Sequence, residues 1–527
     1  MPIKVIDLFA GPGGLGEGFS AFRPNGKQAF KIAVSIEKAE RAHRTLQLRS
    51  LFRQFDHGDS PESYYAFLRG ELGQHPEDEL YRLPELQEPL AHARKEAQKL
   101  ELGEDSQRTI YKCIRDAVGD EECVLIGGPP CQAYSVVGRS RNYGAKDKAY
   151  NASDDPRNFL YREYLNIIAK FQPMIFVMEN VKGILSAKID KRLIFESILT
   201  DLERPVKFSG VRPDKGRSQH AYSIVPFVDS RSGADLFGED GKADPHEYVI
   251  EMERYGLPQA RHRVILLGIR NDLIDEVGSV GKLQEIDQGP SVQDVISDLP
   301  RIRSRLSKVP DSLGSWRSAM RGMNKKLKEL QRDGRVPAEV YDELLHWLDE
   351  IDNSPEGCGA DRGLVKPKSL KELSSDLREW YVDPKLKNYV INHDARGHME
   401  ADLHRYLYYS VCAKVTGSSP TSANLPRVLW PAHKNFKSGK FADRFRVQIG
   451  ESQGNTVTSH ISKDGHSFIH YDPSQYRSLT VREAARIQCF PDNYYFVGPR
   501  TQQYVQVGNA VPPYLAYKLA QIVYSLI

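Results

Sequence analysis

A chain of 527 residues is too long for one ordinary hydrophobic core, so two domains are expected. Charged residues make up 27% of the chain, the mean hydropathy is −0.52, and no apolar run approaches the roughly 18 residues of a membrane helix, so no transmembrane helix is expected. The net charge of +3 is too small to imply a nucleic-acid partner by itself.

Cysteine and histidine spacing gives no sign of a metal centre. The six cysteines show no C-x-x-C pair, and His393, His398 and His404 lack the spacing of metal ligands. We therefore expect free thiols, no metal site and no disulfide framework. The N-terminus has no long apolar core of the kind found in secretion signals, which favours a cytoplasmic protein.

The first predicted strand, residues 3–9, runs into a glycine-rich turn and a helix. Residues 11–16 match the G-x-G-x-x-G pattern, in which glycines permit positive φ and a close approach of the backbone to a nucleotide. A second predicted strand, residues 32–36, ends in Glu37, whose carboxylate can accept both hydroxyls of a ribose. Alternatively, Glu37 is a surface acid that opens the next helix.

A polar stretch at about residues 47–112 is predicted to be an insertion without catalytic residues. Because of this insertion, the sequence does not clearly identify the acidic residue that would contact the adenine of a bound adenosine. Asp59, which follows Gly58, is the candidate for that role.

The apolar run at residues 123–126 predicts a buried strand that stops at Gly127-Gly128-Pro129-Pro130-Cys131. Ligands bind at the carboxyl ends of strands in open parallel sheets, and two prolines make the loop stiff. Cys131 is therefore a candidate nucleophile, with a buried structural cysteine as the alternative. The Gly-, Ser- and Arg-rich residues 134–158 predict a mobile loop beside it.

Two further segments place charged side chains next to predicted strands. The strand at residues 174–178 ends in Glu179, which would face Cys131 unless it is only a structural cap. Arg261 and Arg263 precede the strand at residues 264–269. Two arginines at i and i+2 in a strand would point the same way, and their forks suit a carboxylate, a phosphate or a base carbonyl. A solvated face is the alternative.

The composition changes beyond a short helix that ends near Leu299. Residues 301–335 hold eleven Lys and Arg against three acids, and residues 427–446 hold six against one. Such patches are typical of phosphate binding, although many charge runs are solvated faces. Near the C-terminus, a capping box at residues 480–483 predicts a helix that stops before Pro491, and residues 506–513 open a last apolar helix.

Together these motifs resemble those of the DNA (cytosine-5)-methyltransferases of bacterial and phage modification systems. Six pieces occur in the family's order across nearly the whole chain: DLFAGPGG from Asp7, PPCQ from Pro129, ENV from Glu179, QARHR from Gln259, LTVREAARIQCFP from Leu479 and VGNAVPP from Val507. Gln132, after the Pro-Cys pair, favours DNA over RNA as the substrate.

The resemblance implies an α/β fold with a Rossmann-like S-adenosylmethionine-dependent methyltransferase domain and a second, smaller target-recognition domain. The expected boundaries are 1–300 for the catalytic domain, 301–478 for target recognition and 479–527 for C-terminal motifs that return to the catalytic domain. The implied cofactor is S-adenosyl-L-methionine, and the implied partner is double-stranded DNA whose target cytosine is flipped out. The resemblance allows a cognate restriction endonuclease, not necessarily in contact, and a monomer is expected.

The resemblance also implies residue roles. Cys131 would add to carbon 6 of cytosine, while Glu179 holds a proton against ring nitrogen 3. Arg263 would hydrogen-bond the base carbonyl, and Arg261 would support the same pocket. The residues expected to bind the cofactor are Asp7, Phe9, Gly11, Gly13, Gly14, Leu15, Glu37, Asp59, Pro129, Asn509 and Ala510.

Two other hypotheses share part of this pattern. A nicotinamide-dependent oxidoreductase would have the glycine loop and Glu37, but it would not need Cys131, Glu179 and the arginine pair together. A DNA-binding protein without chemistry would have no reason to keep those residues. Tritium transfer from S-adenosylmethionine would separate the first from a methyltransferase, and DNA binding without methyl transfer would favour the second.

Overall fold

The computed structural model describes residues 1–56, 58–130, 159–189, 192–229, 244–274, 279–366, 375–432, 436 and 444–527. Cys131, Gln132 and the loop predicted at residues 134–158 lie outside the described residues.

The centre of the fold is a mixed sheet with eight strands in the described part of the chain. They are β1 (Ile3–Leu8), β2 (Phe30–Glu37), β3 (Ala97–Lys99), β4 (Cys123–Gly127), β5 (Ile175–Val181), β6 (Tyr222–Val225), β7 (Val249–Glu251) and β8 (His262–Arg270). Their order is β3-β2-β1-β4-β5-β8-β6, and β7 also pairs with β8. Strands β1 to β5 are parallel, whereas β8 runs antiparallel to β5, β6 and β7.

The helices of the first three hundred residues are α1 (Gly14–Ala21), α2 (Glu40–Arg53), α3 (Glu62–Arg69), α4 (Pro76–Arg82), α5 (Gln87–Glu96), α6 (Gln107–Val118), α7 (Phe159–Phe171), α8 (Ile194–Glu203), α9 (Pro205–Ser209), α10 (Asn271–Ile274) and α11 (Val292–Ile296). Those that follow are α12 (Leu313–Arg321), α13 (Leu327–Arg332), α14 (Ala338–Asp349), α15 (Ser375–Tyr381), α16 (Glu400–Thr416), α17 (Val481–Ile487), α18 (Arg500–Asn509) and α19 (Pro513–Tyr524).

Helices cover both faces of the sheet because alternate strand side chains point to opposite sides. Val5 and Val124 belong to the core under α1 and α19, whereas Ile6 and Leu125 belong to the core under α6 and α7. This arrangement is a doubly wound, Rossmann-like α/β fold, and the predicted fold class is confirmed.

The segment predicted as an insertion, residues 47–112, is largely part of the sheet domain. It includes the second half of α2, and it includes α5, β3 and α6, with β3 pairing in parallel with the end of β2. In the described residues, four helices, α2 to α5, lie between β2 and β3, where a simple alternation of strand and helix would have one. Strand β3 was not predicted because its three residues, Ala-Gln-Lys, contain no apolar run.

Many of the buried apolar residues between Trp316 and Tyr476 form a separate core around α16, which includes Tyr406. The three histidines considered as metal ligands are hydrogen-bonded in the interior. His393 contacts Thr480 Oγ1 at 2.9 Å and Pro300 O at 2.8 Å, and burial lowers its pKa to about 4. His404 contacts Ala319 O, and His398 contacts Ser478.

Helix α17 joins segments that are distant in sequence. Its predicted capping box is confirmed, since the Glu483 amide donates to Thr480 Oγ1 and the Thr480 amide donates to Glu483 Oε2. The buried Arg482 guanidinium donates to the carbonyls of Ile391 and Tyr494.

Two further findings concern expectations from composition. In the part of the chain that the structure describes, no helix has both the length and the apolar character needed to cross a bilayer, and the longest, α16, has 17 residues. The described cysteines, at positions 113, 123, 358, 412 and 489, carry free thiols, as predicted.

The contact between α1 and α19 depends on Gly18, where an added Cβ would lie 2.4 Å from the Ala516 Cβ and 2.4 Å from the Pro513 carbonyl oxygen. We expect Gly18→Ala to lower the free energy of unfolding by about 1–3 kcal/mol, because a methyl group overpacks this contact. Urea denaturation measures the effect. Gly314→Ala, in α12, is the matched control because its Cβ meets open space. Equal stability of the two variants would contradict a tight α1–α19 contact.

Candidate active site

The carboxyl ends of β4 and β5 lie side by side and bring two of the sequence motifs together. Gly127 pairs with Met178, so the next residues, Gly128 and Glu179, are neighbours. A Cβ added at Gly128 would lie 2.9 Å from Glu179 Oε2. The Asn180 amide donates to the carbonyl of buried Pro129 at 3.3 Å. The loop is thus tied to the end of β5 just before Cys131, which lies outside the described residues.

Arg263 reaches the same edge from β8. Its Nε donates to Glu179 Oε1 at 3.1 Å, and each of the two side chains is 14% exposed. The pair forms because β8 runs antiparallel to β5 with Arg263 opposite Val181. Burial lowers the pKa of Arg263, and the Glu179 carboxylate opposes that shift. A largely buried carboxylate and guanidinium therefore lie beside the point where the chain leaves β4.

Arg261 makes different contacts from Arg263, although a shared direction was predicted. It precedes β8, it is fully buried, and its guanidinium donates to Val457 O at 2.8 Å and to Ala510 O at 3.0 Å. Burial and the nearby Arg263 cation lower its pKa. Arg261 therefore supports the site from behind, by fixing the C-terminal motif to the start of β8.

The glycine loop after β1 adopts a conformation that few residues tolerate. Phe9 has φ 55°, Gly11 has φ 58° and Gly13 has φ 101°. A positive φ at a non-glycine residue such as Phe9 is strained, and such strain is concentrated at functional sites. The carboxylate of Glu37, at the end of β2, accepts from the Gly11 amide at 2.9 Å and from the Ala39 amide at 2.6 Å. Glu37 and the glycine loop are thus in direct contact.

The C-terminal motif closes the other side of this loop. A Cβ added at Gly14 would lie 2.2 Å from the Val511 carbonyl oxygen, so only glycine fits there. Asn509, at the end of α18, is exposed, whereas Ala510 is buried with its carbonyl on Arg261. Leu15 points into the core below α1.

The chain is similar in sequence to a known protein family and to several of its members. The family model for the C-5 cytosine-specific DNA methylase matches residues 104–205 and 244–525. The type II methyltransferase M.Bpa9945I of Bacillus paralicheniformis is 33% identical over 540 aligned positions, which cover 99% of each chain. M.AgeI of Thalassovita gelatinovora is 26% identical over 80% of this chain and 87% of its own. The DNA (cytosine-5-)-methyltransferase M.ApeKI of Aeropyrum pernix is 25% identical over 76% and 81%.

The chain belongs to the C-5 cytosine-specific DNA methylase family. The family and its named relatives make this protein a DNA (cytosine-5-)-methyltransferase, so the suspected family is confirmed.

Among the described residues, no hydrogen bond joins Asp59 to Glu37 or to the glycine loop. Asp59 follows α2, whose 14 residues span about 21 Å from the end of β2. Glu101 lies two residues after β3, at the same edge of the sheet as Glu37, and Lys38 Nζ contacts its Oε1 at 2.9 Å. Sequence analysis missed Glu101 because β3 itself was not predicted.

Asp7 is a buried carboxyl group without a partner. Its side chain is fully inaccessible, and neither oxygen has a hydrogen-bond partner among the described residues. Burial raises the pKa of Asp7 to about 8; Arg53 opposes this shift, and the carboxylates of Glu37 and Glu96 add to it. A cation bound at the glycine loop would act on this buried carboxyl group through its electric field, without touching it.

The Asp7 carboxyl should make stability depend on pH. Its folded-state pKa is about 8 and its unfolded value is near 3.8, so the folded state binds the extra proton and this group's contribution to stability falls as pH rises from 4 to 8. We expect Asp7→Asn to be more stable than the ligand-free wild type at pH 8.5, by roughly 2–5 kcal/mol, and the difference to shrink towards pH 5.

Urea denaturation across this pH range measures the difference. Asp56→Asn, at an exposed position, is the control. A difference between Asp7→Asn and wild type that does not change with pH would show that Asp7 is not a buried protonated acid.

Proposed function

We propose that this methylase transfers a methyl group from S-adenosyl-L-methionine to carbon 5 of a flipped-out cytosine in double-stranded DNA, through a covalent adduct with Cys131. The observation that carries the proposal is the Glu179–Arg263 pair, which lies against Gly128 three residues before Cys131. A proton-holding carboxylate and a planar cation next to a nucleophile are the groups that this reaction requires.

The chemistry follows from the weak nucleophilicity of carbon 5. The Cys131 sulfur forms a bond to carbon 6, and the electron pair of the carbon 5–carbon 6 double bond moves into the ring. Glu179 holds a proton at ring nitrogen 3, and Arg263 donates to the base carbonyl oxygen, so both offset the developing negative charge. Carbon 5 would then take the methyl group as the bond between that methyl and the sulfonium sulfur breaks, with the electron pair of that bond left on the sulfur of a neutral thioether product. Loss of the carbon 5 proton to a base breaks the carbon–sulfur bond and restores the ring.

The residues around the glycine loop fit the proposed cofactor. S-adenosylmethionine supplies an electrophilic methyl group on a positively charged sulfur. The unpartnered Asp7 carboxyl and the nearby Glu37 carboxylate suit a cationic ligand with ribose hydroxyls. An added Cβ at Gly11 would meet open space, which leaves room for a ligand against the backbone. Phe9, Pro129 and Asn509 are proposed to contact the cofactor from the same edge of the sheet. Glu101 is proposed to contact the adenine base of the cofactor.

Sequence recognition is proposed for residues 301–478, but not through the first basic patch as a whole. Of its eleven cations, six form ion pairs with acids of the protein: Arg301, Arg303, Arg305, Arg317, Arg321 and Arg335. Paired cations contribute less to phosphate binding, since their charge is already partly neutralised. The exposed lysines of this patch are therefore the better candidates for contacts with the DNA backbone.

The names of the relatives support a role in a type II restriction-modification system. In that role the methylase would protect one short DNA sequence from a cognate endonuclease, and the two enzymes would share the sequence without needing to touch. Extruding the target cytosine costs a few kcal/mol, which contacts in the pocket must offset.

Cys131→Ser is expected to abolish methylation and adduct formation while the protein stays folded. The experiment combines bisulfite sequencing of plasmid DNA from expressing cells with trapping on DNA that contains 5-fluorocytosine. Fluorine cannot leave as a proton does, so the adduct persists and survives denaturing electrophoresis. Cys113→Ser, at a half-buried thiol in α6, is the matched control and should behave as wild type.

A trapped complex with Cys131→Ser would contradict the proposed nucleophile. Absence of methylation in the wild type, in a protein whose melting temperature rises with S-adenosylmethionine, would contradict cytosine in DNA as the substrate.

Glu179→Gln is expected to slow methyl transfer by about 10²- to 10⁴-fold, because an amide cannot hold the proton at ring nitrogen 3. Single-turnover transfer of a tritiated methyl group measures the rate. Glu253→Gln is the matched control, since its carboxylate pairs with His262 at 2.7 Å outside the Glu179–Arg263 pair. Equal rates for both variants would remove Glu179 from the mechanism.

A further inference from the structure

A polar cavity of about 300 Å³ lies between residues 419–421 and residues 445–455. Phe445 and Val447 line its apolar part, and Ser452, Gln453 and Asn455 supply polar groups. The cavity is separate from the Glu179–Arg263 site, and no step of the proposed chemistry uses it.

The cavity is nevertheless held close to the catalytic edge. The two-residue strands Gln259–Ala260 and Gly454–Asn455 pair in parallel, with Ala260 opposite Asn455. Arg263 is three residues beyond Ala260. Paired strands lie about 5 Å apart and each residue spans at most about 3.8 Å, so the Asn455 and Arg263 Cα atoms are within about 16 Å.

One wall of the cavity, formed by residues 448–455, is attached to the catalytic domain by backbone hydrogen bonds. The amides of Val292 and Gln293 donate to the carbonyls of Ser452 and Gly450, at 2.9 and 2.8 Å. The Gly454 amide donates to Pro258 O at 2.9 Å. The facing wall is joined to the same unit, because the Val447 amide donates to Ser419 Oγ at 3.0 Å. The cavity therefore keeps a fixed position relative to Arg263.

Polar groups of this wall are left without protein partners. Within the described ranges, the exposed side chains of Ser452 and Asn455 make no hydrogen bond. Gln453 donates through Nε2 to Gly289 O at 3.2 Å, which orients its amide and leaves Oε1 available. An amide carries both a donor and an acceptor, the combination that reads the edge of a base.

We propose that this polar cavity reads a base pair that flanks the target cytosine, with Gln453 and Asn455 as the residues that determine specificity at that position. The proposal rests on the proposed DNA methylation. Fixed attachment to the catalytic edge is what a reading element needs, because it sets the distance between the base that is read and the base that is methylated.

The test measures methylation of a DNA library in which the positions around the cytosine are randomised, by bisulfite sequencing with purified enzyme. The variants are Gln453→Ala and Asn455→Ala. Gln331→Ala, an exposed glutamine in α13, is the matched control and should keep the wild-type preference. We expect each cavity variant to lose preference by about five- to a hundredfold at one position of the site. Circular dichroism establishes that the variants are folded.

Unchanged preference at every position in both folded variants would overturn the proposal. Weakening that is uniform across all sequences would also overturn it, since that result indicates a backbone contact. Methylation by wild type is the internal reference: its absence would count against the proposed function, whereas wild-type methylation with unaltered variants would count against the cavity alone.

Discussion

The buried guanidinium of Arg261 connects three distant parts of the chain. It donates to the carbonyls of Val457 and Ala510, which are 196 and 249 residues away in sequence. Moving a cation out of water costs several kcal/mol unless its hydrogen bonds are replaced. Arg261 can therefore be buried only when the segment before α17 and the motif after α18 are both in place. The folded positions of the Glu179–Arg263 pair and of the glycine loop depend on that assembly.

Other buried arginines repeat this pattern. Arg477 pairs with Glu483 at 2.6 Å, and Arg486 pairs with Asp298 at 3.1 Å and with Asp492 at 2.5 Å. Buried ion pairs contribute little net stability, because desolvation offsets much of the attraction. Their energetic effect is selective: a misplaced segment would leave a buried charge without its partner. We infer that these pairs fix the arrangement of the α16 core relative to the sheet rather than increase its stability.

Elements of the fold could be predicted from the sequence where neighbouring residues carry a clear pattern, such as an apolar run or a motif. Long apolar strands that end in unusual residues were found, as at Gly128 and Glu179, because a strand end and a motif coincide there. Strand β3 was missed since it is short and polar, so the acids that follow it, Glu101 among them, were not considered. The partners of Arg261 could not be predicted, because the carbonyls that it contacts carry no sequence signal. Charge counts also failed to show that most arginines of residues 301–335 are paired.

The carboxyl groups of Asp7 and Glu37, near the glycine loop, are electrostatically coupled. Burial raises the pKa of Asp7 to about 8 and the Glu37 carboxylate adds to that shift, so the ligand-free protein holds a proton on Asp7 at neutral pH. A cation bound at the loop would attract both groups and would favour release of that proton. Binding would then become stronger as pH rises towards 8, and the gain in affinity would come from relief of an unfavourable arrangement already present in the protein. The two carboxyl groups therefore favour a positively charged ligand as the proposed occupant of the loop.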